Sequence, residues 1–151
     1  MDNLDEIIVY GSDHSVRIFG ISDKSRKKVL IGHSGIVTAV LNYQESGLIT
    51  VGLDGNLKMW ENEHKVCLQT HKIMKGEMRF MDISKDGRLL LTCSDLYNIG
   101  IYDLSTLKKV WEYEDHEEVI EVHWVMVPSV FLVVTVGNIR MVDLFLEFET
   151  E

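Results

Sequence analysis

Three side chains with metal affinity lie close together in this chain: His64, Cys67 and His71. A zinc site needs convergent ligands and normally a fourth donor. On an extended strand residue 64 points away from 67 and 71, which share a face. No second Cys or His pair lies nearby in sequence, so no metal is expected. The acidic group Glu112, Glu114, Asp115, Glu117, Glu118 and Glu121 surrounds a strand connection. Carboxylates catalyse, or hold calcium, only inside an enclosing geometry. Around a turn they read as a solvated loop, or as an acidic docking surface for a basic partner. No phosphate-cradling Gly loop, Gly-x-Ser-x-Gly elbow or kinase signature is present. Neither enzyme activity nor a cofactor is expected.

The bulk numbers narrow the function further. The chain has 151 residues, 46% of them apolar, enough for a folded core. Its net charge is -9, from 24 acidic residues against 15 Lys and Arg. Nucleic-acid affinity comes largely from basic residues that neutralise phosphates, so no direct nucleic-acid partner is expected. The one basic cluster, Lys24 to Lys28, sits in a connecting segment and reads as solvated. The N-terminus is acidic and lacks a signal-peptide layout. The most apolar stretch, Val125 to Val136, is too short for a membrane helix and contains Pro128. Cys67 and Cys93 read as reduced thiols. An intracellular site, cytoplasmic or nuclear, is expected, with no membrane.

The elements that must carry these residues repeat. Segments Ile7–Phe19, Leu48–Trp60, Leu90–Tyr102 and Phe131–Val142 each show an apolar strand, a polar or Gly-containing turn and a second strand. Each closes on a bulky residue: Phe19, Trp60, Tyr102 and Val142, spaced 41, 42 and 40 residues apart. That pattern is a β-hairpin signature. Between hairpins lie two further strand-like pieces, such as Lys28–Ile31 and Val37–Leu41. Four strands in about 40 residues is the spacing of a propeller blade. An all-β chain of four-stranded antiparallel sheets is expected, with units near 6–31, 32–72, 73–114 and 115–149.

Gly32-His33, followed by Asp54 and then Trp60-Glu61, resembles the WD-repeat signature of a Gly-His pair, a turn Asp and a Trp-Asp ending. In that family a hydrogen-bonded set of His, Ser or Thr, Asp and Trp locks each blade. The resemblance implies such a tetrad at His33, Thr50, Asp54 and Trp60. A buried imidazole and indole need partners for their N–H groups, so the arrangement is physically sensible. The other units depart from the pattern. The first has Asp13 and Phe19 but Val9 at the Ser/Thr place. The third has Thr92 and Tyr102-Asp103, but Leu96 at the Asp place and a degenerate Gly-His place near Lys75-Gly76. The fourth keeps Asp115-His116 and ends in Val142-Asp143. These three units should rely more on apolar packing.

The resemblance also implies a partial ring. The chain starts on the second strand of a blade, two complete blades follow, and the last runs to a strand at Phe145–Phe148. Similar rings close with about seven blades. An open arc exposes blade faces and strand edges. Covering about 500 Å² of apolar face would be worth about 12 kcal/mol. A remainder of the gene product, a second half-propeller from another protein, or another copy of this chain would supply the cover. The resemblance implies a protein-interaction scaffold in a multiprotein complex. The alternative is a part of a longer WD-repeat protein with no function of its own. In similar proteins the residues flanking the start of the innermost strand, and the one before the turn Asp, face the mouth of the ring. Carried over, these are Ile36, Thr38 and Leu53. In the fourth unit Val119 and Glu121 align with the first two, and in the third Arg79 or Phe80 takes the place.

Overall fold

A computed structural model describes residues 6–21, 26–43, 47–61, 66–73, 76–94, 97–114, 117–125 and 129–144. All fourteen elements among them are β-strands. No helix among the described residues is long and apolar enough to cross a membrane. The chain divides into two compact units, Met1–Ile73 and Met74–Glu151.

The first unit holds two antiparallel sheets. One contains β1 (Glu6–Tyr10), β2 (Ser15–Gly20) and β3 (Arg26–Ile31) in that order. The other contains β4 (Val37–Tyr43), β5 (Gly47–Gly52), β6 (Asn56–Glu61) and β7 (Cys67–Lys72). The burial follows the sequence pattern. Leu48-Ile49-Thr50-Val51 is a continuous run buried on both faces of β5, whereas β7 at the sheet edge is mostly exposed. Val16, Ile18 and Leu30 of the first sheet pack with Val37, Leu48 and Trp60 of the second. The Val37 N–H also donates to the Gly11 carbonyl at 3.3 Å, tying the sheets at one end.

The second unit repeats the plan. One sheet contains β8 (Met78–Ile83), β9 (Leu89–Ser94), β10 (Asn98–Asp103) and β11 (Lys109–Glu114). The other contains β12 (Val119–Trp124), β13 (Val130–Thr135) and β14 (Ile139–Asp143). Its core joins Leu91, Cys93, Ile99 and Ile101 to Val119, Val122, Phe131 and Val133. A polar link accompanies it, the Trp124 N–H donating to Asp82 Oδ2 at 2.9 Å. The strand expected at Phe145–Phe148 lies outside the described residues, as do His64, Lys75, Asp95, Leu96, Asp115 and His116.

The repeat extends to irregularities that no residue pattern announces. The first-to-second strand pairing slips between Val37 and Ala39, between Met78 and Phe80, and between Val119 and Glu121. Another slip precedes the bulky anchor of the third strand, at Phe19, Trp60 and Tyr102. A bulge inserts one residue and re-aims the side chains around it. The hairpin turns repeat as well: His14, Gly55 and Tyr97 occupy the left-handed region at φ 62°, 68° and 62°. Their predecessors in sequence are Asp13, Asp54 and Leu96.

Candidate functional site: a buried lock and a bulged rim

In the second sheet of the first unit the polar side chains form a directed chain. The Trp60 Nε1–H donates to Thr50 Oγ1 at 2.9 Å. Thr50 Oγ1 lies 2.7 Å from His33 Nε2, and His33 Nδ1 lies 3.0 Å from Asp54 Oδ2. Only one proton arrangement satisfies every group. The Thr50 hydroxyl donates to Nε2 of a neutral imidazole, whose Nδ1–H donates to the carboxylate. Asp54 also accepts from the Ser34 N–H at 2.9 Å and the Asn56 N–H at 3.1 Å. It thereby joins the turn after β5 to the segment before β4. Thr50 is fully buried and Trp60 is 3% exposed. Gly52 makes the approach possible, since a Cβ there would lie 2.7 Å from the Ile36 carbonyl oxygen and 3.1 Å from His33 Nδ1.

The other sheets fill the same places differently. In the third blade unit, Thr92 Oγ1 donates to the Gly100 carbonyl at 3.2 Å. The Tyr102 ring lies over Gly100, where an added Cβ would sit 2.8 Å from the ring. Burial pushes the Tyr102 phenol up to about 12, so it stays neutral. In the first sheet Asp13 turns onto its own hairpin, accepting from the Ser15 N–H and hydroxyl and pairing with Arg17. In the last sheet Thr135 Oγ1 donates to Glu117 Oε2 at 2.6 Å and accepts from the Asn138 N–H.

The expected rim residues gather at one end of the sheet in the first unit. The Leu53 N–H donates to the Ile36 carbonyl at 2.9 Å, and Thr38 Oγ1 donates to the Val51 carbonyl at 3.4 Å. Ile36 is 37% exposed. Thr38 is the extra residue of the bulge. In the second unit the bulge places Arg79, not Phe80, at the position of Thr38. The alignment expected for the fourth unit needs correcting by one residue. Val119 pairs with Thr135 as Val37 pairs with Gly52, and it is buried. Ile120 therefore stands at the place of Thr38, Glu118 at that of Ile36, and Glu121 at that of Ala39. The register is set by the inward apolar residue, Val37, Met78 or Val119, rather than by distance from the Gly-His place.

Arg79 lines a cavity of about 200 Å³ with Ser94, Tyr97, Glu118 and Val119. Ser94 and Tyr97 escape sequence reasoning, whereas Glu118 belongs to the acidic group that the sequence marks out; only the left-handed turn residue, in structure, picks out Tyr97. Glu121 is brought to His123, 3.3 Å from its Nε2. Of the three side chains with metal affinity, His64 lies outside the described residues, His71 Nε2 is 2.8 Å from Gln69 Oε1 and Cys67 Sγ is 3.5 Å from Thr70 Oγ1. No cluster of three or more metal-ligating side chains occurs among the described residues.

The family model described as "WD domain, G-beta repeat" matches residues 24–61, the segment that holds the whole lock. That segment matches a WD repeat. The chain is also similar to proteins called p21-activated protein kinase-interacting protein 1-like. The one from Danio rerio is 26% identical over 88 residues, 58% of this chain and 24% of that protein. The one from Xenopus laevis is 23% identical over 112 residues, 74% of this chain and 31% of that protein. The one from Gallus gallus is 29% identical over 86 residues, 56% of this chain and 23% of that protein. The matches thus span between about a quarter and a third of these curated relatives.

The electrostatics of the WD lock predict an acid response. For His33, burial is the largest influence and lowers the pKa; the Asp54 charge opposes it without prevailing. For Asp54, burial is again the largest single influence, acting upward. The Ser34 and Asn56 amides and His33 together outweigh it and hold the carboxyl at about 2. A group depressed in the folded state stabilises fully above its unfolded value, about 6.5 for His and about 3.9 for Asp. That contribution is lost as pH falls through the folded value. The stability gap between wild type and Asp54→Asn is therefore expected to be wide above about pH 4 and to close toward about pH 2. Urea denaturation at stepped pH measures it. A gap constant over that window refutes the assignment.

Proposed function

We propose that this chain is a protein-interaction scaffold, a WD-repeat subunit of a multiprotein assembly, that binds its partner through the bulged rim. The carrying observation is that Ile36, Thr38 and Leu53 lie at one sheet end, held there by the Leu53–Ile36 backbone bond. Arg79 occupies the matching bulge of the second unit beside a cavity. Glu121 follows one residue beyond Ile120 and is about half exposed, at 52%. The WD match supports an interaction role over an enzymatic one. The net charge of -9 favours a protein over a nucleic acid as partner. Cys67 and Cys93 carry no disulfide, which suits an intracellular site, cytoplasmic or nuclear. The same reading takes residues 1–151 as one partial propeller, since the period of about 40 residues runs through every unit.

The relatives' name makes a p21-activated protein kinase the first partner to test. The expected result is that Leu53→Asp together with Thr38→Arg abolishes capture of that kinase while the melting temperature stays near wild type. Arginine is tolerated at this bulge, because Arg79 already occupies the equivalent place. Capture undiminished in the double variant would exclude the rim. The acidic stretch Glu112–Glu118 is then the surface to test, its attraction for a basic partner weakening as salt rises. A second reading, that these residues are a part of a longer WD-repeat protein, is favoured by the short share of each relative that they match. The native mass of the protein in its own cell separates the two.

A further inference from the structure

The cavity beside Arg79 lies wholly within the second unit, and the residues around it differ in burial. Ser94 and Val119 are buried, whereas Arg79, Tyr97 and Glu118 are exposed. A volume of about 200 Å³ takes the charged ends of two side chains with some water and is too small for a folded element.

Two opposite charges line this cavity without answering each other. Among the described residues neither the Arg79 guanidinium nor the Glu118 carboxylate forms an ion pair or a side-chain hydrogen bond. The neighbouring carboxylates are engaged: Glu117 accepts from the Thr135 hydroxyl at 2.6 Å, and Glu121 lies 3.3 Å from His123 Nε2. Glu118 is thus the carboxylate left for an outside group. The first unit offers nothing comparable. Thr38 and Ile36 hold the places of Arg79 and Glu118 there, and Gly55 holds that of Tyr97. Tyr97 keeps a full side chain on the cavity at φ 62°, a left-handed backbone that favours glycine.

The paired charges decide what fits. A ligand of one sign is attracted by one group and repelled by the other, and at similar distances the two effects nearly cancel. A ligand carrying both signs gains at each. The arginine fork also matches the geometry of a carboxylate. A phosphate is more negative still, and it meets both Glu118 and a chain of net charge -9. We infer that this cavity binds a pair of opposite charges: a carboxylate held by the Arg79 guanidinium and an ammonium or guanidinium group held by the Glu118 carboxylate. Adjacent acidic and basic residues of a partner protein carry such a pair, and so does a free amino acid. The first source rests on the rim reading, since Arg79 and Glu118 stand at rim places. The preference for paired charges does not.

Amide NMR of the isotope-labelled 151-residue chain tests it. The probes are the end-blocked peptides Gly-Glu-Lys-Gly, Gly-Glu-Gln-Gly and Gly-Gln-Lys-Gly and free glycine, each added up to about 20 mM. The amides of Arg79, Tyr97, Glu118 and Val119 should move with the Glu-Lys peptide. It should bind at least about fivefold more tightly than either single-charge peptide, and less tightly as salt rises. Arg79→Gln and Glu118→Gln should each bring it down to the single-charge level with melting unchanged, since both side chains are exposed. Free glycine that moves the same amides as strongly supports the site and assigns it to a free amino acid; glycine without effect supports a protein source. Three peptides that bind alike overturn the inference. So do shifts confined to other residues, no shift with any probe, or variants that bind as the wild type does. Each of these results leaves the rim reading standing, because that reading is tested by kinase capture with Leu53 and Thr38 of the first unit.

Discussion

Trp60→Ala is expected to lower the stability of the first unit by about 3–5 kcal/mol, the range for removing a buried aromatic side chain. Two losses combine in it. The indole is 3% exposed and packs with Val16, Ile18, Leu30, Val37 and Leu48, so its removal leaves a cavity between the two sheets. Its N–H also anchors Thr50 Oγ1, the second link of the lock. Trp60→Phe separates the terms: it keeps most of the packing and deletes the donor, for about 1 kcal/mol. Asp54→Ala should cost about 1–3 kcal/mol by leaving the His33 Nδ1–H and the Ser34 and Asn56 amides without their acceptor. Because His33 and Thr50 connect Trp60 to Asp54, the two substitutions should be non-additive. Urea unfolding of both single variants and the double variant measures this. Equal and negligible shifts would refute a lock at these four residues.

The parts of this molecule that were legible in the sequence are those written in residue types. The recurrence of Phe19, Trp60, Tyr102 and Val142 at near-constant spacing reveals the sheets, because strand alternation and turn residues survive between the units. The tetrad is legible in the second unit because imidazole, hydroxyl, carboxylate and indole all occur there at the family's spacing. The bulges are a different matter. An inserted residue shifts register without changing the apolar pattern, which is why Val119 reads as a rim residue and is instead buried at the place of Val37. No residue pattern marks out Gly100 either. Only the Tyr102 ring lying on it shows that the missing Cβ is required. The Asp82–Trp124 link joins residues 42 apart in sequence, and no local pattern encodes it.

Those substitutions point to how the last sheet holds together without the tetrad. Leu48 stands opposite Trp60 and Leu90 opposite Tyr102, but Phe131 stands opposite Val142. The large ring has moved across the strand pair, from β14's place to β13's. Phe131 is fully buried and meets Trp111 and Trp124 edge-on, with ring centroids 5.7 Å away in both cases. Trp111 in turn stacks on Tyr113 at 5.8 Å. Edge-to-face pairs contribute about 0.5–1.5 kcal/mol beyond the area they bury. Phe131 thus links β11 of one sheet to β12 and β13 of the other. Phe131→Ala is expected to cost about 3–5 kcal/mol, comparable to loss of the Trp60 indole. Phe131→Leu, which refills much of the space but removes the ring edges, should cost noticeably less. The two tryptophans report directly on the site, so their emission should shift in the alanine variant as water reaches them. A loss below about 1 kcal/mol with unchanged emission would show that the aromatic cluster does not stand in for the lock.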